Sequence, residues 1–379
     1  MASAPPNGDA PGLLLFSGAN DRAVLALCRG AARHGVPFGL IGRGKEDLLL
    51  RSAYASHFVS TRTSTQLELG DLDAAVFAAR KRYGKRRWIL CPTSEYLNLH
   101  LFKHQERLAA NDVELAVCSP ALYQRVSDKL KFREYCAEIG LAVPQLLDAS
   151  AATTLPLPFV AKPAENLSKQ DRILYPYLVR SETERRRFLE DPAAQSFYLE
   201  RFITGESWYL LYYFASNGTY QSGTQRNYLQ QGRGKSIVLA RTQPFPWPEV
   251  ARKIASRLQS DGYRGFIMIE LRANGSDISV IEANPRCWGP LQLTLDADMG
   301  LFEAFLRDYG HDVALPAAAT RSVSYLWLGG IGQALRKKMG LNKHVSWMRL
   351  AGALASAMNN DIYIRPDSRN CFRQDFFAL

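Results

Sequence analysis

Short apolar runs alternate with stretches of helical period through the first third of the chain. Leu13-Leu14-Leu15-Phe16 reads as a buried strand, 22–34 as a helix stopped at Gly35, and 37–41 as a second strand. A strand at 88–91, a helix over about 95–110 and a strand at 114–118 continue the alternation expected of an α/β layer with a parallel sheet. The pattern changes after Ser119-Pro120. Ser127 is expected to cap a helix over 128–139, whose Leu130, Tyr135, Cys136 and Ile139 share one apolar face before Gly140 ends it. Next come a short strand ending in Lys162-Pro163, a charged helix at 182–189, and a strand from Phe197 that turns at Gly205. The runs 208–215 and 218–224 form a hairpin around Asn217-Gly218, and a helix at 248–261 precedes a second hairpin.

That second hairpin holds the densest chemistry. The β-rich runs 266–271 and 278–283 flank Ala273-Asn274-Gly275-Ser276. Glu282 and Asn284, two residues apart, share a strand face, and Pro285, with no N–H to donate, ends the ladder. With Glu270 they make a set of hard oxygen donors that leaves room for phosphate oxygens, as Mg²⁺ prefers. Register constrains the idea. A two-residue turn at Asn274-Gly275 would put Glu270 and Glu282 on opposite faces, so a shared metal requires an odd-length loop or a bulge. Gly275 can supply the positive φ of a three-residue loop with a bulge.

The 379 residues are enough for two or three domains, and 47% hydrophobic with 22% charged residues is an ordinary globular composition. No run approaches a membrane span and the first ten residues lack the order of a signal peptide, so the cytoplasm is the expected compartment. The six cysteines are scattered without a C-x-x-C pair, which argues for buried thiols over zinc or disulfides. A formal charge of +11 implies an anionic partner. Nucleotide phosphates, an acidic substrate, nucleic acid and an anionic membrane all satisfy it. The cluster Arg80-Lys81-Arg82 with Lys85-Arg86-Arg87 precedes a strand and reads as a solvated helix end; no aromatic-interleaved RNA-binding motif accompanies it, and no nucleic-acid partner is expected. The loop Ser17-Gly18-Ala19-Asn20 has one glycine of a dinucleotide fingerprint, and His100 with His104 lack the glutamate of H-E-x-x-H, so neither NAD nor zinc is indicated.

Read in order, the middle of the chain offers Asp128-Lys129 at a helix start, Lys162-Pro163 at a strand end, Glu200 to Glu206 around a glycine turn, Glu270, then Glu282-x-Asn284-Pro285-Arg286. This ordered set resembles the ATP-grasp superfamily of carboxylate–amine ligases over roughly residues 119–308. The resemblance implies an α/β architecture: a Rossmann-like pre-ATP-grasp domain at 11–118 after a tail at 1–10, then an ATP-grasp domain at 119–310. In the latter, two α+β subdomains, 119–195 and 196–310, clamp the nucleotide. Residues 311–379 form a helical and extended cap, its Asp361-Ile362-Tyr363-Ile364 and Arg365-Pro366-Asp367 similar to the C-terminal region of the carboligase branch.

By the same resemblance Lys129 and Lys162 hold nucleotide phosphates, the backbone of Glu200, Arg201, Phe202 and Ile203 borders the adenine, and Glu206 accepts the ribose hydroxyls. Glu270, Glu282 and Asn284 ligate magnesium, with manganese as the alternative ion, and Arg286 and Lys162 act on the transferred phosphoryl group. The cofactors implied are ATP and Mg²⁺. There is a departure: 164–170 has no glycine where many relatives carry a glycine-rich phosphate-covering loop, and Ser168 or Lys169 can substitute as donors. Lys162→Ala is expected to cost nucleotide binding while leaving the fold nearly intact.

Substrate residues are less determined. Arg226 and Arg241 lie in a long polar segment, and an arginine fork suits a carboxylate. Glu95 follows a strand of the first layer, where α/β sheets bind ligands, and can recognise an amine. The expected partners are a small carboxylate and an amine, such as an amino acid, with a homodimer allowed. Residues 332–358, with Arg336, Lys337, Lys338, Lys343 and Arg349 among apolar residues, read as a helical cap or as an amphipathic helix on an anionic membrane. The activity expected is amide formation through an acyl phosphate. The reading set against it is a noncatalytic nucleotide-binding or membrane-associated protein with the same fold.

Overall fold

The computed structural model describes residues 10–18, 20–62, 67–164, 174–232, 234–317 and 321–377. Five short apolar strands, β1 (Gly12–Phe16), β2 (Phe38–Gly42), β3 (Phe58–Thr61), β4 (Trp88–Leu90) and β5 (Val113–Leu115), form a parallel sheet in the order β3-β2-β1-β4-β5. Helices α1 (Asp21–Arg33), α2 (Leu69–Tyr83), α3 (Glu95–Phe102) and α4 (Gln105–Ala110) connect them. The order reverses between β1 and β4, which opens a crevice at their C-terminal ends. The single helix expected over 95–110 is two, because Lys103 N and His104 N bond back only three residues, to His100 O and Leu101 O, and this tightening ends α3.

Helices α5 (Pro120–Ser127) and α6 (Lys129–Glu138) follow. Asp128, not Ser127, caps α6: its Oδ1 accepts from Leu130 N (3.0 Å) and Lys131 N (2.9 Å), whereas Ser127 is the last residue of α5. A small antiparallel sheet of β6 (Leu146–Leu147), β7 (Phe159–Pro163), β8 (Tyr177–Val179) and β9 (Phe197–Arg201), with α7 (Glu182–Leu189) on one side, has the order β6-β9-β7-β8.

The main sheet contains β10 (Glu206–Phe214), β11 (Tyr220–Gln231), β12 (Ile237–Thr242), β13 (Gly265–Asn274), β14 (Asp277–Asn284) and β15 (Ser324–Leu326), with α8 (Pro248–Ser260), α9 (Leu291–Asp296) and α10 (Leu301–Asp308) packed around it. The polar stretch around Arg226 is therefore strand. Its polar side chains satisfy one another inside the sheet: Gln225 Nε2 donates to Asn227 Oδ1 (2.7 Å) and Asn227 Nδ2 to Ser207 Oγ (2.9 Å). One face of β10 and β13 packs on α6 and α8 through Trp208, Leu210, Ile269 and Leu271; the other, through Tyr209, Leu211 and Met268, joins the core shared with α1.

Residues 332–358 are not one amphipathic helix. Helix α11 (Leu328–Arg336) stops, the chain adds β16 (Leu341–Lys343) beside β11, and α12 (Trp347–Ala357) follows, burying Leu350, Ala353 and Ala357 against the body. Its outer face is exposed along its length, and its first turn carries two large apolar side chains there, Trp347 71% and Met348 86% exposed. The tail ends in α13 (Arg369–Phe377), anchored where Asp367 takes the Arg29 guanidinium at 2.6 and 2.7 Å. Among the described residues no helix is long and apolar enough to cross a membrane.

Candidate active site

The turn joining β13 and β14 has two residues, Gly275 and Ser276, since Asn274 pairs with Asp277. On that register Leu271 faces Val280, and Glu270 would face Ile281. Instead Ile281 is an extra residue, a bulge, and Glu270 pairs directly with Glu282. Both carboxylates therefore stand on one face, with Asn284 opposite Met268 one step along. The bulge does what was expected of an odd loop, but away from the turn.

Glu270 is buried, and burial raises its carboxyl pKa while Arg272 opposes the rise and the charge of Glu282 adds to it. Arg272 Nη2 donates to it at 3.0 Å and also reaches Gln230 Oε1 at 3.1 Å. Arg272 Nη1 lies 2.9 Å from His344 Nδ1. An arginine can only donate, so Nδ1 accepts and the imidazole proton is assigned to Nε2, which faces Gln230 Oε1 at 3.1 Å. Burial, then Arg272, pulls the His344 pKa down to about 3, in keeping with a neutral ring. Along β14, Arg286 Nη2 donates to Asn284 Oδ1 (2.9 Å) and Asn284 Nδ2 to Glu282 Oε1 (3.0 Å). Two carboxylates and an amide oxygen are the kind of hard oxygen donors that suit a divalent cation such as Mg²⁺.

Lys162, at the end of β7, points across to this hairpin. Its Nζ forms an ion pair with Glu200 Oε2 at 2.8 Å and lies 3.4 Å from Ile281 O, the carbonyl of the bulged residue. Both charged side chains are at least nine-tenths buried, 8% and 5% exposed, and Arg133 of α6 stands 3.9 Å from Glu200. Lys162→Ala would thus leave Glu200 buried beside a single distant cation, which argues against the expectation that the fold would hardly notice.

Two cavities meet at the hairpin. One, of about 400 Å³, lies between the small sheet and the main sheet, with Lys162, the 200–205 segment, Glu270, Glu282 and His344 in its wall. The other, of about 750 Å³, lies between the first layer and the main sheet, with Glu95, Glu270, Glu282, Asn284 and Arg286 in its wall. Glu95 begins α3 at the end of β4; burial raises its pKa, and Arg286 and Lys129 act against that. Lys129 stands at the start of α6 near Glu95 and is in neither wall. The loops of the first layer are stitched to the site: Cys287 N donates to Pro92 O (2.7 Å) and Asn20 Nδ2 to Cys287 O (3.1 Å).

Three expected residues lie elsewhere. Glu206 and Arg226 bond to each other, and Trp208 Nε1 donates to Glu206 Oε2 at 2.9 Å. Strand alternation puts Glu206 on the face of Trp208, toward α8, so neither carboxylate nor guanidinium reaches the cavities. Arg241 pairs with Arg226 on that same face and donates to Ser322 Oγ. Ser168 and Lys169 fall outside the described residues. Conversely, Arg272, Gln230, Asn342 and His344 border the smaller cavity without having been picked out from the sequence. Arg272 had a signal, standing two residues from Glu270 on one strand; the others had none, because Gln230 on β11 and Asn342 and His344 at β16 reach the hairpin through the fold and not through nearness in sequence.

No family model matches the chain, and no curated protein matches it either. Solved structures do. Biotin carboxylase from Campylobacter jejuni, in a β-γ-ATP complex, is similar over 82% of this chain and 74% of its own, with 16% identity and a TM-score of 0.61. N5-carboxyaminoimidazole ribonucleotide synthetase from Thermus thermophilus is similar over 92% and 98%, with 15% identity and a TM-score of 0.60. These are ATP-grasp proteins. The chain has the ATP-grasp fold. The biotin carboxylase domain of Hydrogenobacter thermophilus 2-oxoglutarate carboxylase, a dimer with MgADP and bicarbonate, is similar over 83% and 74%, with 13% identity and a TM-score of 0.59. The small sheet takes in β9, so the break expected at 195/196 does not separate the two antiparallel sheets, and the parallel sheet precedes both.

Proposed function

We propose that this chain is an ATP-dependent carboxylate–amine ligase that works through an acyl phosphate. One observation carries the reading: the Glu270–Glu282 pair stands in the wall common to both cavities. A nucleotide in the smaller cavity would then present its terminal phosphate to an acid in the larger one. Lys162 and the 200–205 segment hold the nucleotide, Lys129 adds positive charge on the Glu95 side, and Glu270, Glu282 and Asn284 hold Mg²⁺. When bound, the metal offsets the repulsion between the phosphate and the approaching carboxylate. The Hydrogenobacter domain, seen with MgADP, supports ATP and magnesium as the cofactors.

Arg286, held by Asn284 in the wall of the larger cavity, stabilises charge on the transferred group. A carboxylate oxygen bonds to the γ-phosphorus as the bond to ADP breaks. An amine, recognised by Glu95, then attacks the acyl carbon; the C–O bond breaks, phosphate leaves with that oxygen, and the nitrogen releases a proton. Closure of the small sheet over the cavity keeps water from the acyl phosphate.

The test is an ¹⁸O-labelled acid incubated with ATP, Mg²⁺ and an amine. One label should appear in inorganic phosphate, with ADP as the other product. Label in AMP, with pyrophosphate released, would show adenylation and remove Arg286 from its role. ATP binding without any acid- and amine-dependent ADP release across a substrate screen would leave a nucleotide-binding protein.

A further inference from the structure

The larger cavity runs on past Arg286 to a far wall that the phosphoryl chemistry does not use. Asp21 and Arg22 at the start of α1, Trp327 just before α11, Tyr363, and Asp375 on α13 form it. It lies in the crevice where the strand order reverses, beside the C-terminal end of β1, a place where open α/β sheets take ligands.

Arg22 is pinned there. Its guanidinium carbon is 3.8 Å from the centroid of the Trp327 ring, and Nη1 donates to Ile237 O (3.1 Å) and Tyr325 OH (3.2 Å). Gly289 closes the other side, since a Cβ at that position would lie 2.7 Å from Nη2. A guanidinium held on both sides meets a ligand with little rotamer freedom left to lose. Among the described residues no carboxylate forms an ion pair with it.

Two carboxylates flank it on different elements. Asp21 Oδ1 accepts from Gly18 N (2.6 Å), and Asp375 Oδ2 accepts from Trp327 Nε1 (2.7 Å). Gly329 makes the room for Asp375, because a Cβ there would sit 1.5 Å from Oδ2. The second oxygen of each carboxylate has no hydrogen bond among the described residues, and neither group forms an ion pair. Burial pushes both up to about 6, so at neutral pH they are mostly anionic yet poorly solvated. The neighbouring acids are otherwise engaged: Asp47 takes Leu49 N and Arg43 N, and Asp361 takes Leu328 N and Tyr363 N. Lys337 stands at the exposed rim. A fixed cation beside two under-solvated anions is the electrostatic complement of a zwitterion.

We propose that this far wall binds the head group of an amino acid, its carboxylate on Arg22 and its ammonium on Asp21 and Asp375. The proposal rests on the ligase reading and names one of that reading's substrates. It also orients it. Gly289, against which Arg22 packs, is three residues beyond Arg286, so their Cα atoms are at most about 11 Å apart. With both of its α-groups engaged on the far wall, the group such an amino acid has left to react is on its side chain.

The test is calorimetric titration of the full chain with the common L-amino acids and their D enantiomers, with and without Mg²⁺ and a non-hydrolysable ATP analogue. Each binder is repeated as its N-acetyl and its α-carboxamide derivative. At least one amino acid should bind, and either blocked form should bind about ten-fold or more weakly, the scale of a lost charge-assisted contact. D375N and R22Q should each weaken the free amino acid to a similar extent and erase its advantage over the matching blocked form. The blocked ligands need no variant, so the test stands even if R22Q disturbs the packing on Trp327. No amino acid binding, or blocked forms binding as tightly as free ones, overturns the proposal. Failure of the ATP analogue to bind removes the ligase reading instead, while the titrations without nucleotide still decide the head-group site.

Discussion

Glu270 and Glu282 face each other across β13 and β14 because Ile281 is bulged out of the ladder. A single residue thus decides whether two carboxylates share a face or stand on opposite sides of the sheet. Glu282→Ala should lower Mg²⁺-dependent ADP release on the order of 100-fold, the scale of losing one metal ligand. Glu282→Gln should do the same while leaving the metal-free melting temperature unchanged or higher, since it removes a like charge beside buried Glu270. Glu282→Gln protein that still released ADP in a Mg²⁺-dependent way would take the pair out of the chemistry.

Lys162 and Glu200 form a buried pair, so removing one partner should cost stability as well as binding. Lys162→Met is expected to destabilise the protein by about 3 kcal/mol, the usual scale for stranding a buried charge, read from denaturant unfolding. The double variant Lys162→Met/Glu200→Leu should recover much of that loss without recovering nucleotide binding. Equal stability of wild type and the single variant would show that the pair is not buried in solution.

His344 supplies a pH dependence. Its folded pKa, about 3, lies below the ordinary 6.5, so the folded state rejects a proton that the unfolded chain accepts. The stability it contributes is present above pH 6.5 and is lost as pH falls toward 3. His344→Gln, which can still accept from Arg272 and donate to Gln230, should flatten that decline in melting temperature between pH 7 and 4. Parallel curves for the two proteins would assign the decline to other groups.

Arg180 Nη2, just after β8, donates to Asn342 Oδ1 of β16 at 2.7 Å across the mouth of the smaller cavity. This contact joins the two halves of the clamp. Asn342→Ala should speed release of a fluorescent ATP analogue about three-fold, the scale of a solvent-exposed hydrogen bond to a charged group. Asn342→Asp, which makes the contact an ion pair, should slow it. Identical release rates in all three proteins would mean that the clamp closes without this contact.

Much of the architecture was legible because it is local. The period of apolar residues marked β1, α1, β2 and the helix at 182–189, and the Asn217-Gly218 and 273–276 turns announced both hairpins. Errors gathered where local signals compete. Ser127 and Asp128 can each cap a helix, and only the backbone angle at which α5 meets α6 selects Asp128. Arg226 and Arg241 read as forks for a substrate carboxylate because they lie in a long polar segment; in the sheet Glu206 neutralises Arg226, and alternation turns all three from the cavities.

The sequence by itself determined which donors the hairpin could offer and that a register shift was needed for them to act together. That follows from the strict two-residue period of a strand, which any reader of the chain can count. Only the tertiary structure decided where the shift falls and what surrounds it. The Lys162 contact with the Ile281 carbonyl, the Lys162–Glu200 pair, the Arg272–His344 contact and the Asp21–Arg22–Asp375 wall all join segments far apart in the chain. Such contacts depend on how sheets and helices stack, and no local period encodes that.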